Sequence, residues 1–192
     1  MKSILEGYKN QFVEICEKEI TRNGVQGILA WLEGSDFYEA PASTRFHGSY
    51  QGGLLAHSLN VYDALMLINA SLNLQLPTES MAIVALFHDV CKANFYATEL
   101  RNVKDEATGQ WHKEPFYKVN EQFCYGGHGS KSVYIVNSFI RLLPDEAVAI
   151  NCHMGSWDGN KDVGAAFEKT PLAWALHVAD EYATFILEGK AQ

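Results

Sequence analysis

"LFHDVCK", Leu86 to Lys92, sets a histidine beside an aspartate inside an apolar run. Burying an imidazole and a carboxylate side by side is costly unless each finds a partner or both hold a metal ion. The surrounding "PTESMAIVALFHDVCKANF" has helical apolar spacing, with Pro77 and Thr78 as cap and start. It predicts one helix that runs through the pair. On such a helix His88 and Asp89 stand about 100° apart and converge on an ion beside the axis. Lys92 falls three residues after Asp89 and four after His88, on the same face.

Most of the remaining chain also reads as helix. "SILEGYKNQFVEICEKEI" is amphipathic, and "GVQGILAWLEGS" is a shorter helix stopped by Gly34. "GGLLAHSLNVYDALMLINASL" carries Leu54, His57, Val61, Leu65 and Ile68 on one stripe. "GHGSKSVYIVNSFIRLL" and "PDEAVAINCHMG" follow, the second opening on Pro144. "TPLAWALHVADEYATFILEG" has Thr170 as N-cap, Pro171 at its first helical position and Gly189 as stop. One region has strand character instead: Tyr96–Val103 and Gln110–Val119 flank the turn-like "DEATGQ" and predict a hairpin. The fold expected is therefore all-α with a small β-hairpin insertion. The 192 residues suit one domain, with a core over about 45–187, a helical extension over 1–44 and a hairpin or lid over 95–120.

Composition narrows the function classes. A net charge of −8 opposes unspecific binding along nucleic-acid backbones, which needs clustered Lys and Arg. The N-terminal stretch carries charges throughout and reads as neither a secretory signal nor a membrane span. Four cysteines, Cys16, Cys91, Cys124 and Cys152, form no C-x-x-C pair. They read as free thiols, and the expected location is cytoplasmic.

The seven histidines carry the chemistry. His57 lies on the apolar stripe of the helix preceding the His88–Asp89 pair. Asp180 lies on the apolar face of the last helix, where a carboxylate needs a counter-charge. Two imidazoles and two carboxylates make a mixed N/O site suited to Mn, Fe, Ni, Zn or Mg. His128 in "YGGHGSKS" stands at a glycine-rich helix start, and His153 in "NCHMGSWDG" at a helix end. Both can project into a cleft and admit a second ion, so one or two divalent metals are expected. His177, one turn before Asp180, reads as a satisfied core histidine, and His112 as a surface residue of the hairpin.

Taken in order, His57, His88–Asp89, His128, His153 and Asp180 resemble the HD-domain superfamily of metal-dependent phosphohydrolases. "FHGSYQGGLLAHSLNV", "LFHDVCK", "CHMGSWDG" and "TPLAWALHVADEYAT" are similar to the HD part of bacterial 3′-to-5′ exoribonucleases that join an OB-fold to an HD domain. The likeness covers about Arg45 to Ile186. Only some 44 residues precede Arg45, too few for an OB-fold, and the long stretch before His128 is a second departure. The resemblance implies an HD helical bundle, metal binding at those six residues and phosphoester hydrolysis. It makes Lys92 a phosphate-contacting lysine, and Asp89 a catalytic residue that bridges metals or guides the water proton.

The substrate contacts expected besides Lys92 are Arg45, Lys131, Tyr125 and Trp157. Arg45, and less strongly His47, precede a helix N-terminus that suits an anion. Lys131 follows His128 by three residues. Tyr125 and Trp157, with Trp111, are loop aromatics able to stack a base. The acidic chain favours a small phosphorylated substrate, a nucleotide foremost. Exonuclease action on short single-stranded RNA or DNA is the alternative, and a nucleotide-binding sensor without turnover is a third reading.

Overall fold

The computed structural model describes residues 2–106, 108–158, 161 and 163–189. It is all-α with one antiparallel hairpin, as expected. The helices are α1 (Lys2–Glu19), α2 (Val25–Glu33), α3 (Gly53–Leu72), α4 (Thr78–Phe87), α5 (His128–Asn137), α6 (Pro144–Cys152), α7 (Val163–Lys169) and α8 (Pro171–Tyr182). The strands are β1 (Tyr96–Lys104) and β2 (Trp111–Val119).

Helix α4 occupies the centre. Its sequence after Ser80 is apolar on every side, and Met81 through Phe87 are all buried. A helix without a polar face must be surrounded. It packs against α1, α3, α6 and α8. Phe12 of α1 sits 5.8 Å, ring to ring, from Phe87 and 5.4 Å from Phe37, tying the N-terminal helix to this centre. The C-terminal end of α4 therefore delivers whatever follows Phe87 into the interior.

The helix does not run through the His-Asp pair. It ends at Phe87, with His88 as C-cap, and Asp89 leaves helical geometry at φ −106° and ψ 16°. A short 3-10 turn, Val90–Lys92, follows. The His88 ring explains the break: its Nδ1 donates to the Ala85 carbonyl at 2.8 Å. That is the acceptor a continuing helix would offer to the Asp89 amide, so side chain and backbone compete.

Other elements also depart from their expected bounds. Helix α5 stops at Asn137, where the Ser138 hydroxyl donates to the Tyr134 carbonyl and Asn137 Oδ1 accepts from the Leu142 amide. Beyond Tyr182 the last helix widens into a π turn, Ala183–Leu187, closed by the Glu188 amide donating to the Ala183 carbonyl. Thr170 occupies the N-cap of α8 but makes no side-chain capping bond. Helix α7 was not foreseen.

One buried network joins three segments. Glu146, fully buried, accepts from both terminal nitrogens of Arg22 at 2.7 and 2.5 Å and from Ser80 Oγ at 2.7 Å. It also reaches back to the Leu143 amide at 2.8 Å, closing the first turn of α6. The hairpin pairs Tyr96 with Val119 through Lys104 with Trp111. Its base is pinned by the Tyr96 hydroxyl donating to the Ala42 carbonyl at 3.3 Å. The four cysteines are free thiols, three of them buried. No helix among the described residues is long and apolar enough to cross a membrane.

Candidate metal centre

Three imidazoles share one wiring pattern. His88 Nδ1 donates to the Ala85 carbonyl, and His153 Nδ1 donates to the Ile150 carbonyl at 2.7 Å. His57 Nδ1 faces Glu188 Oε1 at 3.1 Å. A carbonyl or carboxylate accepts only, so each Nδ1 carries the hydrogen and each Nε2 is turned the other way. His88 and His153 are the C-caps of α4 and α6, where terminal carbonyls lack helical partners. The same bond that satisfies the helix end thus aims the ring.

The inward Nε2 atoms meet two carboxylates. His57 Nε2 lies 3.2 Å from His88 Nε2 and 3.2 Å from Asp180 Oδ1. His88 Nε2 is 3.6 Å from Asp89 Oδ2, and His153 Nε2 is 3.4 Å from Asp89 Oδ1. Ligand atoms of His57, His88 and Asp89, and those of His88, His153 and Asp180, lie within 4.8 Å of one another. All three histidines are fully buried and Asp89 nearly so.

The electrostatics follow from this crowding. Burial disfavours the His57 imidazolium, but Asp180 and Glu188 outweigh it and push the imidazole up to about 10. Burial, reinforced by His153 and His57, pushes His88 down to about 4 despite the neighbouring Asp89 and Asp180. Burial tends to raise Asp89, yet Lys92, His88 and His153 hold its carboxyl well below the usual range. Asp180 is also lowered against its burial, chiefly by His57. The cluster thus pulls both carboxyls down and drives the pKa values of His57 and His88 apart.

Those donors fit a divalent metal ion. Asp89 Oδ1 and His153 Nε2 are buried and make no hydrogen bond. Buried polar atoms left so are rare, and in a cluster of imidazole nitrogens and carboxylate oxygens they point to coordination. Each Nδ1 partner is the outer support that metal-binding histidines use.

Lys92 belongs to this place. Its ammonium lies 2.5 Å from Asp89 Oδ2, and with Asp89 and Asp180 it lines a cleft of about 640 Å³. Arg45, Phe46, His47, Trp157 and Phe185 of the π turn line the same cleft. Phe46, Trp157 and Phe185 are largely exposed, giving it an apolar mouth.

Three expected residues lie elsewhere. His128 is at the first position of α5, its Nδ1 3.6 Å from Cys91 Sγ and its ring 5.8 Å from Phe95. Burial pushes the Cys91 thiol up to about 12. Lys131 pairs with Glu121 at 2.5 Å and lies over the Phe95 and Phe123 rings. Tyr125 stacks on Phe123 and lines a separate groove of about 820 Å³, which holds none of the six expected ligands. Trp111 is exposed at the hairpin tip. His177 donates to the His153 carbonyl at 2.7 Å and stacks on Phe167, so it steadies the turn that carries His153. His112 is a surface residue paired with Glu114.

Two residues join the site that the sequence did not single out as ligands. His47 packs its ring 4.9 Å from that of His57. It is brought there by close backbone contact: a Cβ on Gly53 would sit 1.9 Å from the Gly48 carbonyl oxygen, and Gly48 itself has φ +58°. Glu188, held by Asn60 Nδ2 at 2.9 Å, is the other. An acid at the end of a helix opposes the helix dipole, a signal that it has business elsewhere.

The profile of the family described as HD domain matches residues 54–184. Neither the comparison with curated proteins nor that with solved structures found a match.

Proposed function

Because the chain belongs to the HD-domain family, we propose that it is a divalent-metal-dependent phosphohydrolase acting on a nucleotide or a related small phosphorylated molecule. The observation that carries this reading is the convergence of three Nε2 atoms, each backed by an anchored Nδ1, on Asp89 and Asp180. His57, His88, Asp89, His153 and Asp180 would hold the metal. Bound there, a divalent ion supplies charge for a phosphate oxygen and lowers the pKa of a water.

The chain's own groups do the rest. Asp89 Oδ1, the oxygen not paired with Lys92, faces the metal place and would orient the attacking water there. Lys92, fixed on Asp89 and facing the cleft, offsets charge that builds on the phosphoryl oxygens. Arg45 adds a second cation to the lining of the same cleft. Phe46, Trp157 and Phe185 offer apolar faces to the part of the substrate that carries the phosphate, and a nucleobase is the ligand such faces stack best. His128, Lys131 and Tyr125 lie outside this cleft and are assigned to an outer part of a longer substrate. That assignment belongs to the second reading, exonuclease action on a short single strand.

The test begins with metal content by mass spectrometry. Turnover of a nucleotide panel and a labelled oligonucleotide is then measured with added Mn²⁺. Asp89→Ala is expected to abolish hydrolysis while circular dichroism stays helical. Full activity in that variant would remove Asp89 from the chemistry. Release of mononucleotides from the strand, with no hydrolysis of free nucleotides, would favour the exonuclease. Tight nucleotide binding without any product would make the protein a sensor.

A further inference from the structure

We propose that His47 and Glu188 hold a second divalent cation, beside the centre formed by His57, His88, Asp89, His153 and Asp180. His47 Nε2 and Glu188 Oε2 are both buried and neither has a hydrogen-bond partner. The Glu188 side chain is only 7% exposed. Its other oxygen, Oε1, is already engaged by His57 Nδ1 and Asn60 Nδ2. What remains is one carboxylate oxygen and one imidazole nitrogen with nothing to bond. Ligand atoms of His47, His57 and Glu188 lie within 4.8 Å of one another.

Both side chains are held by purpose-built backbone. The Ser43 hydroxyl donates to the His47 carbonyl and accepts from the Phe46 amide, while the Ala42 amide donates to the Gly48 carbonyl. This small closed loop presses His47 over His57. Glu188 is turned onto α3 by the π turn that precedes it, a feature frequent at functional sites. His57 is the wall between the two places: Nδ1 faces Glu188 and Nε2 faces the first centre.

The chemistry selects the occupant. One nitrogen and one oxygen, with the remaining positions open to the cleft, suit Mn²⁺ or Mg²⁺ completed by water and phosphate oxygens. His47 and Glu188 line the same cleft as Arg45 and Lys92, so an ion held there would reach a phosphate bound in that cleft. The inference rests on the first centre being a metal site, and it moves the second ion from His128 to His47.

The test is Mn²⁺ uptake by the full chain, measured by equilibrium dialysis with inorganic phosphate present. Electron paramagnetic resonance of the bound Mn²⁺ accompanies it. Wild type is expected to take up two ions per chain and to show spin coupling between neighbours. His47→Ala, with its fold checked by circular dichroism, is expected to take up one ion and give the spectrum of an isolated centre. Asp89→Asn reports on the first centre separately. A single ion in wild type that Asp89→Asn removes and His47→Ala spares would overturn the proposal and leave the first centre standing. A single ion removed by His47→Ala alone would refute the first centre and, with it, the proposal of a second ion beside it. Two ions in His47→Ala, with weakened phosphate binding, would make His47 an anion contact and overturn the proposal.

Discussion

Metal removal should cost the folded protein a measurable part of its stability, and the size follows from how the ligands are distributed. They come from α3, the end of α4, the end of α6 and α8, and His57 and His88 alone are 31 residues apart. An unfolded chain cannot gather them, so the ion binds the native state alone. With free Mn²⁺ a hundredfold above its dissociation constant, such one-sided binding adds about 2.7 kcal/mol. For a chain of this length each kcal/mol moves Tm by about 2–4 °C, so a rise of about 5–11 °C is expected. The assay is differential scanning calorimetry on chelator-stripped protein, with and without Mn²⁺. Asp89→Asn should lose the part of the rise that the first centre supplies, because it loses a charged ligand oxygen there. The reasoning fails if the variant shows the full rise. It fails equally if wild type shows none with Mn, Fe, Ni, Zn or Mg.

Lys92→Met keeps the stem and removes the cation; turnover should fall by about 10²–10³ while metal uptake is retained, and equal loss of both would make Lys92 a structural partner of Asp89. Glu146→Ala removes the buried acceptor of Ser80 and Arg22, while Arg22 keeps Glu79, and should cost about 1–3 kcal/mol, read as a fall in chemical-denaturation stability. Burial is the largest single influence on Glu79 and raises it, but hydrogen bonds from the Arg22 and Thr21 amides and from both side chains together lower it overall. A depressed folded pKa gives stability that is present above the unfolded value and lost as pH falls through the folded one. Melting against pH should therefore slope less steeply below the ordinary glutamate range in Glu79→Gln. Replacing 96–119 by a short glycine-serine link should leave Mn²⁺ uptake intact, since none of the hairpin's described residues lines the cleft, and any change should fall on substrate choice.

The central helix and the hairpin were legible because their signals are local. "MAIVALF" has no polar side and so must be enclosed, and the two strand-like runs around "DEATGQ" pair within a residue of the expected ends. The ordered histidines and acids were legible because burial of such groups demands a shared reason. The helix break at His88 was not, because it depends on which acceptor the ring chooses. Helix α7 is too short for periodicity to register. His128 stands in a glycine-rich context like that of a ligand, and only packing shows it against Cys91 and Phe95. His47 and Glu188 lie at opposite ends of the chain, and no pattern in the sequence couples a loop histidine to an acid beyond a π turn.

That π turn also sets how the chain tolerates changes of length. Its wider coil accommodates one residue more than a regular turn, so deleting any one position from Ala183 to Leu187 would restore ordinary winding. Glu188 would then keep its direction toward His57 and Asn60, whereas one added residue would swing it by about 100° around the axis. The hairpin loop, exposed at its tip, has no such phase to keep. A one-residue insertion should thus be silent in the hairpin loop and disabling in the last helix, although neither segment carries a residue of the first metal centre.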